Sequence, residues 1–270
     1  MVGLGVLKAL SRAEMRRRLS RVRDLRAVLH RWHRASSKVR VHPLTYGSPW
    51  SKIPVTVLIW ENRKAEVCMP GRIHGKRVVI VVAQEFEDIE LLYPILQLNY
   101  EGAEIVVVPV DEGLHPRPFI PGKPVTGRFG HTIPIPVMEE GKRYVVQCLD
   151  GIDVDETDCL LFPGGYSPDA LRLNRDVLHL TRRCHSAGKI VAAICHGPLV
   201  LVSAGLVEGV KTCGYDAVHD DLVNAGAELL DVPAVRDGNI ITGRVPDDLP
   251  EFCEEIVRAL TNEHPRSHRK

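Results

Sequence analysis

The sequence predicts an α/β sandwich, a mostly parallel sheet with helices on both faces and a cysteine at a strand-to-helix turn. Three observations predict it. Val78-Val79-Ile80-Val81-Val82 is a continuous β-branched run, the pattern of a strand buried on both sides. Helical patterns separate this run from later ones, and strictly alternating strands and helices favour parallel sheets with right-handed crossovers. Finally, the apolar run Ile190 to Ile194 stops at Cys195-His196-Gly197, where a helical pattern from Pro198 to Ala204 begins.

The elements follow in order. Residues 1–40 hold twelve Lys/Arg and only two acids, Glu14 and Asp24. Leu7, Leu10, Leu19, Val22, Leu25 and Leu29 recur there at helical spacing. Such a segment reads as a solvated basic extension, helical or disordered. An acidic partner, an anionic surface, a targeting peptide or nucleic-acid contact is the less favoured reading. Residues 41–75 read as a linker in which Val55 to Trp60 and Lys64 to Met69 form a hairpin turned at Glu61-Asn62. Met69 stands where a natural start would fall, just ahead of the main domain.

That domain is expected over residues 76–262. Strand 78–82 leads to a helix over 87–100, with apolar residues at 89, 92, 95, 96 and 98 and a stop at Gly102. Glu104 to Val110, Leu160 to Pro163, Ile190 to Ile194 and Ile240 to Thr242 are further strands. Helices are expected at 175–187, 197–204 and 248–261. The Pro- and Gly-rich interval 113–147 breaks the rhythm and reads as a hairpin-bearing excursion over one sheet edge. Residues 263–270 form a polar tail.

Composition narrows the function classes. The chain is 44% hydrophobic and 26% charged, ordinary for a globular protein. No apolar run approaches the roughly 20 residues of a membrane span, and no secretory signal is evident. Seven cysteines, an odd number without CxxC spacing, favour reduced thiols in a cytoplasm over a disulfide framework or zinc site. Asp220-Asp221 invites a metal reading, but no His/Asp/Glu set has ligand spacing, so no metal is expected. Neither GxGxxG nor a Walker loop is present, so no nucleotide cofactor is expected.

In an α/β sheet the ligand crevice lies beyond the carboxyl ends of the strands. Glu85 to Glu90, Gly164-Gly165 and Cys195-His196 all fall there. A thiol at the positive end of a helix is expected to have a lowered pKa, giving thiolate near neutral pH. The blander reading of Cys195 is a small buried hydrophobe; the elbow and the adjacent histidine favour a nucleophile. Successive helical residues point roughly 100° apart, so a Cys195–His196 contact needs a special turn. The N–H groups of Gly164, Gly165 and His196 are candidate oxyanion donors. Glu87 and Glu90 share one helix face, and periodicity does not choose which of them meets the thiol. Asp169 reads either as the third member of a triad or as an ordinary acid at a helix N-terminus.

Taken together, VVIVVAQEFEDIELLYP (78–94), LFPGGYSPDAL (161–171), VAAICHGP (191–198) and DDLVNAGA (220–227) resemble the PfpI family of intracellular cysteine peptidases. That family lies within the superfamily of the parkinsonism-associated deglycase and the glyoxalase III-type enzymes. The resemblance implies a flavodoxin-like sandwich over about residues 76–262, with Cys195 as nucleophile and His196 as its partner. It implies Glu90 as the acid beside the thiol. Asp169 falls where the family has a glutamate, one methylene longer, that completes the triad across a subunit interface. Tyr215 and Arg244 fall at pocket positions, and a homo-oligomer is implied. The excursion around Gly130-His131-Thr132 and the 75-residue leader have no counterpart in the compact members.

The expected function is therefore a cysteine-dependent hydrolase of the PfpI type acting on a peptide. The alternative is a cofactor-independent glyoxalase or deglycase acting on methylglyoxal or glycated amines. Two readings of other classes stand beside these: a redox sensor or chaperone-like protein with an oxidisable Cys195, and a small-molecule binding module that does not need the thiol.

Overall fold

The computed structural model describes residues 41–43, 56–58, 71–110 and 124–263. The chain divides into two compact units, Met1–Cys68 and Met69–Lys270. In the first, β1 (Val41–Pro43) pairs antiparallel with β2 (Thr56–Leu58), Val41 opposite Leu58. Thr56–Leu58 lies inside the expected strand 55–60 and pairs with β1. Its expected partner, Lys64 to Met69, and the basic segment 1–40 lie outside the described residues, as does the tail from 264 onward.

The second unit contains strands β3 (Arg77–Val82), β4 (Glu104–Pro109), β5 (Val145–Val146), β6 (Cys159–Phe162), β7 (Ile190–Ile194), β8 (Lys211–Thr212), β9 (Glu228–Leu229), β10 (Ala234–Asp237) and β11 (Ile240–Gly243). Seven of them form one sheet in the order β10-β11-β7-β6-β3-β4-β5, while β8 and β9 make a separate parallel pair. Within the large sheet every pairing is parallel except β10 with β11, a hairpin closed by Gly238-Asn239 with Gly238 at φ +58°. The helices are α1 (Asp88–Tyr100), α2 (Ser167–Leu171), α3 (Arg175–Ser186), α4 (Pro198–Ala204), α5 (His219–Asn224) and α6 (Leu249–Leu260).

The apolar runs are continuous because both sheet faces are covered. Val78, Ile80, Val82, Ile105, Leu161 and Ile194 pack in one layer with Leu91, Ile95 and Leu98 of α1 and Phe252 and Ile256 of α6. Val79, Val81, Val106, Leu160, Phe162 and Val191 pack in the other with Val177 and Cys184 of α3 and Val200 and Leu201 of α4. Side chains alternate faces with period two, so a strand buried on both sides needs apolar residues throughout. This is the three-layer, flavodoxin-like arrangement.

Strands β7, β6 and β3 are neighbours and parallel, so the loops after Ile194, Phe162 and Val82 open side by side at one end of the sheet. The described part of the Pro/Gly-rich excursion crosses this end. Thr126 and Thr132 form an antiparallel bridge there. The buried Asp88 carboxylate holds the loop, accepting from the backbone N–H groups of Phe129 (2.8 Å) and His131 (3.0 Å) and contacting His131 Nδ1 (2.7 Å). The chain then returns through β5 to the sheet edge beside β4. Among the described residues no helix is long and apolar enough to cross a membrane, and no group of three His/Cys/Asp/Glu could hold a metal ion.

Candidate active site

Cys195 has φ +62°, the left-handed region that a non-glycine residue rarely adopts. Its surroundings fix it there. Its N–H donates to the Gly243 carbonyl at the end of β11 (3.0 Å), and its carbonyl accepts from the Tyr215 N–H (3.1 Å). The Gly197 N–H closes the turn on the Ile194 carbonyl (2.7 Å). Such over-determined strain is typical of functional positions. This is the special turn that a Cys–His contact requires: Cys195 Sγ lies 3.4 Å from His196 Nδ1.

Glu90, on the first turn of α1, is fully buried beside this sulfur. Its Oε2 accepts from the Gly164 N–H at 2.6 Å, while Oε1 has no hydrogen-bond partner. Burial is the main reason its carboxyl is pushed from 4.5 up to about 7; the Glu87 charge adds to this. The Gly164 N–H, the Cys195 contact and the Arg128 charge act the other way. The Cys195 thiol is also pushed well above its ordinary value, by burial first and by the Glu90 charge next. The N–H groups of Gly165 and His196 pull it partly back. The expected lowering of this thiol's pKa is therefore reversed. Helix α4 has only seven residues, and desolvation and the adjacent carboxylate act against the lowering.

The glycines explain how the groups come so close. A Cβ on Gly164 would lie 2.6 Å from Cys195 Cβ, 2.8 Å from Glu90 Oε2 and 2.9 Å from the His196 nitrogen. Gly165 has φ +71°, and a Cβ there would lie 2.4 Å from the Glu85 carbonyl. Because the Gly164 N–H is taken by Glu90, the N–H groups that face the sulfur are those of Gly165 and His196. Gly164→Ala is expected to destabilise the protein by about 1–3 kcal/mol through overpacking. It should also cut any Cys195-dependent turnover by about 100-fold through misplacement. Urea unfolding and an activity assay read the two effects, and wild-type values in both would contradict the close approach.

The chain matches the DJ-1/PfpI family over residues 76–259. It belongs to that family. A deglycase of Pyrococcus abyssi is 36% identical over 184 residues, which cover 68% of this chain and 99% of that protein. A Bacillus subtilis relative carrying a provisional cysteine-protease name is 34% identical over 186 residues, 69% of this chain and 99% of its own. Among solved structures, Drosophila melanogaster DJ-1beta superposes with a TM-score of 0.56 at 24% identity, covering 70% of this chain and 91% of that one. That last likeness concerns the fold.

The remaining candidates of this DJ-1/PfpI domain are not all gathered at the sulfur. The His196 imidazole is half-buried between Tyr215 (5.2 Å between ring centres) and Tyr166 (6.5 Å). Burial lowers its pKa; the Asp169 charge raises it and that of Arg128 lowers it. Asp169 is exposed in the first turn of α2 and, among the described residues, makes no hydrogen bond to His196. The Arg244 guanidinium is held by Asp248 (2.9 and 3.2 Å) and by Asp231, so only its backbone neighbour Gly243 borders the elbow. Glu87 does not face the thiol: its Oε2 accepts from Arg128 Nη1 at 2.9 Å on the rim. Arg128 also stacks over the Tyr166 ring, 5.2 Å from its centre. Neither Arg128 nor Tyr166 is evident as a site residue in the sequence. Arg128 lies in the excursion, where no motif marks it, and Tyr166 is one residue past the glycine pair.

Proposed function

We propose that this protein is a cofactor-independent deglycase or glyoxalase that acts on α-oxoaldehyde adducts through Cys195. The observation that carries this reading is the buried Glu90 carboxyl against the sulfur, with a pKa of about 7. A general acid–base works best when its pKa lies near the working pH. The sulfur adds to the aldehyde carbon, and its proton reaches the new hydroxyl by way of Glu90. The N–H groups of Gly165 and His196 stabilise the developing oxyanion. Glu90, ionised again, takes the proton from this carbon and returns it to the neighbouring carbonyl carbon, while the proton of the new hydroxyl passes to the neighbouring carbonyl oxygen. A hemithioacetal thereby becomes a thioester of a hydroxy acid. Water then cleaves the carbon–sulfur bond, releasing the hydroxy acid and restoring the thiol. When the aldehyde carbon already carries an amine or a thiol, that group leaves with the Cys195 proton as the sulfur takes its place.

The peptide-hydrolase reading asks more of His196, which must protonate a leaving amine with an acid orienting it. Burial lowers the pKa of this imidazole, and Asp169 touches it only through its charge. A second copy of the chain supplying that acid is what the resemblance implies, and homo-oligomerisation belongs to this proposal. The wild-type protein, offered the methylglyoxal adduct of N-acetylcysteine and a fluorogenic peptide without cofactor, is expected to form lactate and leave the peptide intact. Peptide cleavage with no lactate would overturn the proposal.

A further inference from the structure

Arg128 stands apart from the other two-sided arginines of the domain. Arg72 holds two carboxylates at once, Glu101 on Nε and Nη2 (2.9 and 2.7 Å) and Glu254 on Nη1 and Nη2 (3.0 and 2.8 Å). Arg244 likewise holds Asp248 and Asp231. Arg128 holds one, Glu87, by a single Nη1–H bond. Its Nε and Nη2 donors have no acceptor among the described residues, and its side chain is 40% exposed. A guanidinium has five donors and two edges able to grip a carboxylate in a fork.

Its position is also particular. The ring it stacks on, Tyr166, lies next to His196, and its charge reaches both Glu90 and His196. The other charges reaching these two groups, Glu87 and Asp169, are negative and would repel an anion. The backbone that carries Arg128 is held twice, by its own N–H donating to the Phe86 carbonyl (2.9 Å) and by the Asp88 clamp on the following residues, and the guanidinium by Glu87 and the Tyr166 ring. A cation so fixed at the mouth, with an edge open, is prepared for a planar anion.

We infer that Arg128 is a substrate-binding residue that takes a carboxylate on the edge Glu87 leaves open. The favoured substrates are then adducts carried by free amino acids or by the C-terminal residue of a peptide. Adducts on internal side chains, which lack a carboxylate near the reacting carbon, are disfavoured. This rests on the deglycase reading for the identity of the substrate, whereas the anion preference of the mouth does not.

Alkylation of Cys195 tests the anion preference without any turnover. Iodoacetate and iodoacetamide both react with the thiolate and both expel iodide, so their rate ratio cancels the thiolate fraction. Peptide mapping should show the iodoacetate-to-iodoacetamide ratio at Cys195 falling about tenfold in R128Q. R128K, which keeps the charge and loses the fork, is expected to fall between. Should R128Q fail to fold, the wild type still decides. Its ratio at Cys195 is expected to exceed that at the exposed Cys148 of the same molecule. An unchanged ratio in R128Q, or equal ratios at the two cysteines, overturns the inference. In turnover, R128Q is expected to raise KM about tenfold for the methylglyoxal adduct of N-acetylcysteine. The KM for the corresponding amide should rise far less. If the wild type turns over neither compound, the deglycase reading fails while the alkylation result stands by itself.

Discussion

Cys195→Ser is expected to lower lactate formation from the adduct by about 10^4- to 10^6-fold, the scale seen when a covalent nucleophile is removed. The substitution leaves the elbow backbone intact, because Cys195 is held by main-chain bonds to Gly243 and Tyr215. The chemistry is what changes. A serine hydroxyl has a far higher pKa than a thiol, and a Glu90 carboxyl near 7 cannot draw off its proton to any useful extent. Lactate assays on both proteins, with circular dichroism to verify folding, read the result. A variant retaining more than about a hundredth of wild-type turnover would exclude the covalent mechanism, because no other route here accounts for so much.

Glu90→Gln is expected to lower turnover by about 100- to 10^4-fold, the usual contribution of a positioned acid–base group. Its other effects run in the opposite sense. Glutamine can still accept from the Gly164 N–H, but it removes the negative charge that raises the thiol's pKa. Iodoacetamide should therefore alkylate Cys195 faster in the variant, even as turnover collapses. Stability should change as well. Because burial raises the Glu90 pKa from 4.5 to about 7, the native state binds more protons than the unfolded state between those values. Wild-type stability accordingly falls as pH rises through this window, by about 3 kcal/mol in all. The neutral glutamine lacks that slope. Urea midpoints from pH 4.5 to 8 measure it, and parallel curves for the two proteins would rule out a carboxyl of this kind.

How much of this can be read from the sequence depends on whether the deciding contact is local. Strands β3, β4, β6, β7 and β11 are legible because burial on both faces demands unbroken apolar runs. Strand β10 is not anticipated, although Asp237-Gly238 carries a hairpin signal and Gly238 does take a positive φ. The two-residue β5 and the short helix α5 leave too little periodicity to detect, whereas α2 is legible by its start at Ser167-Pro168-Asp169. At the site, the elbow is legible from the abrupt change of pattern at Cys195. Which glutamate faces it is not, because Glu87 and Glu90 share a helix face. The choice follows from how α1 seats against Gly164. The direction of the thiol shift also escapes the sequence, since burial depth is a property of the assembled layers. Arg244 illustrates the reverse: its position borders the elbow, yet Asp231 and Asp248 claim its side chain.

The hydrogen bond from Gly164 to Glu90 carries a stereochemical consequence. It commits one carboxyl oxygen to the backbone and leaves the other to carry protons, on a side chain with no room to turn. A proton lifted from one carbon and set down on the next by a single fixed oxygen arrives on one face of the planar intermediate. In the proposed reaction, the hydroxy acid leaving this site is therefore of one hand, and its chirality is set by a glycine that never touches it.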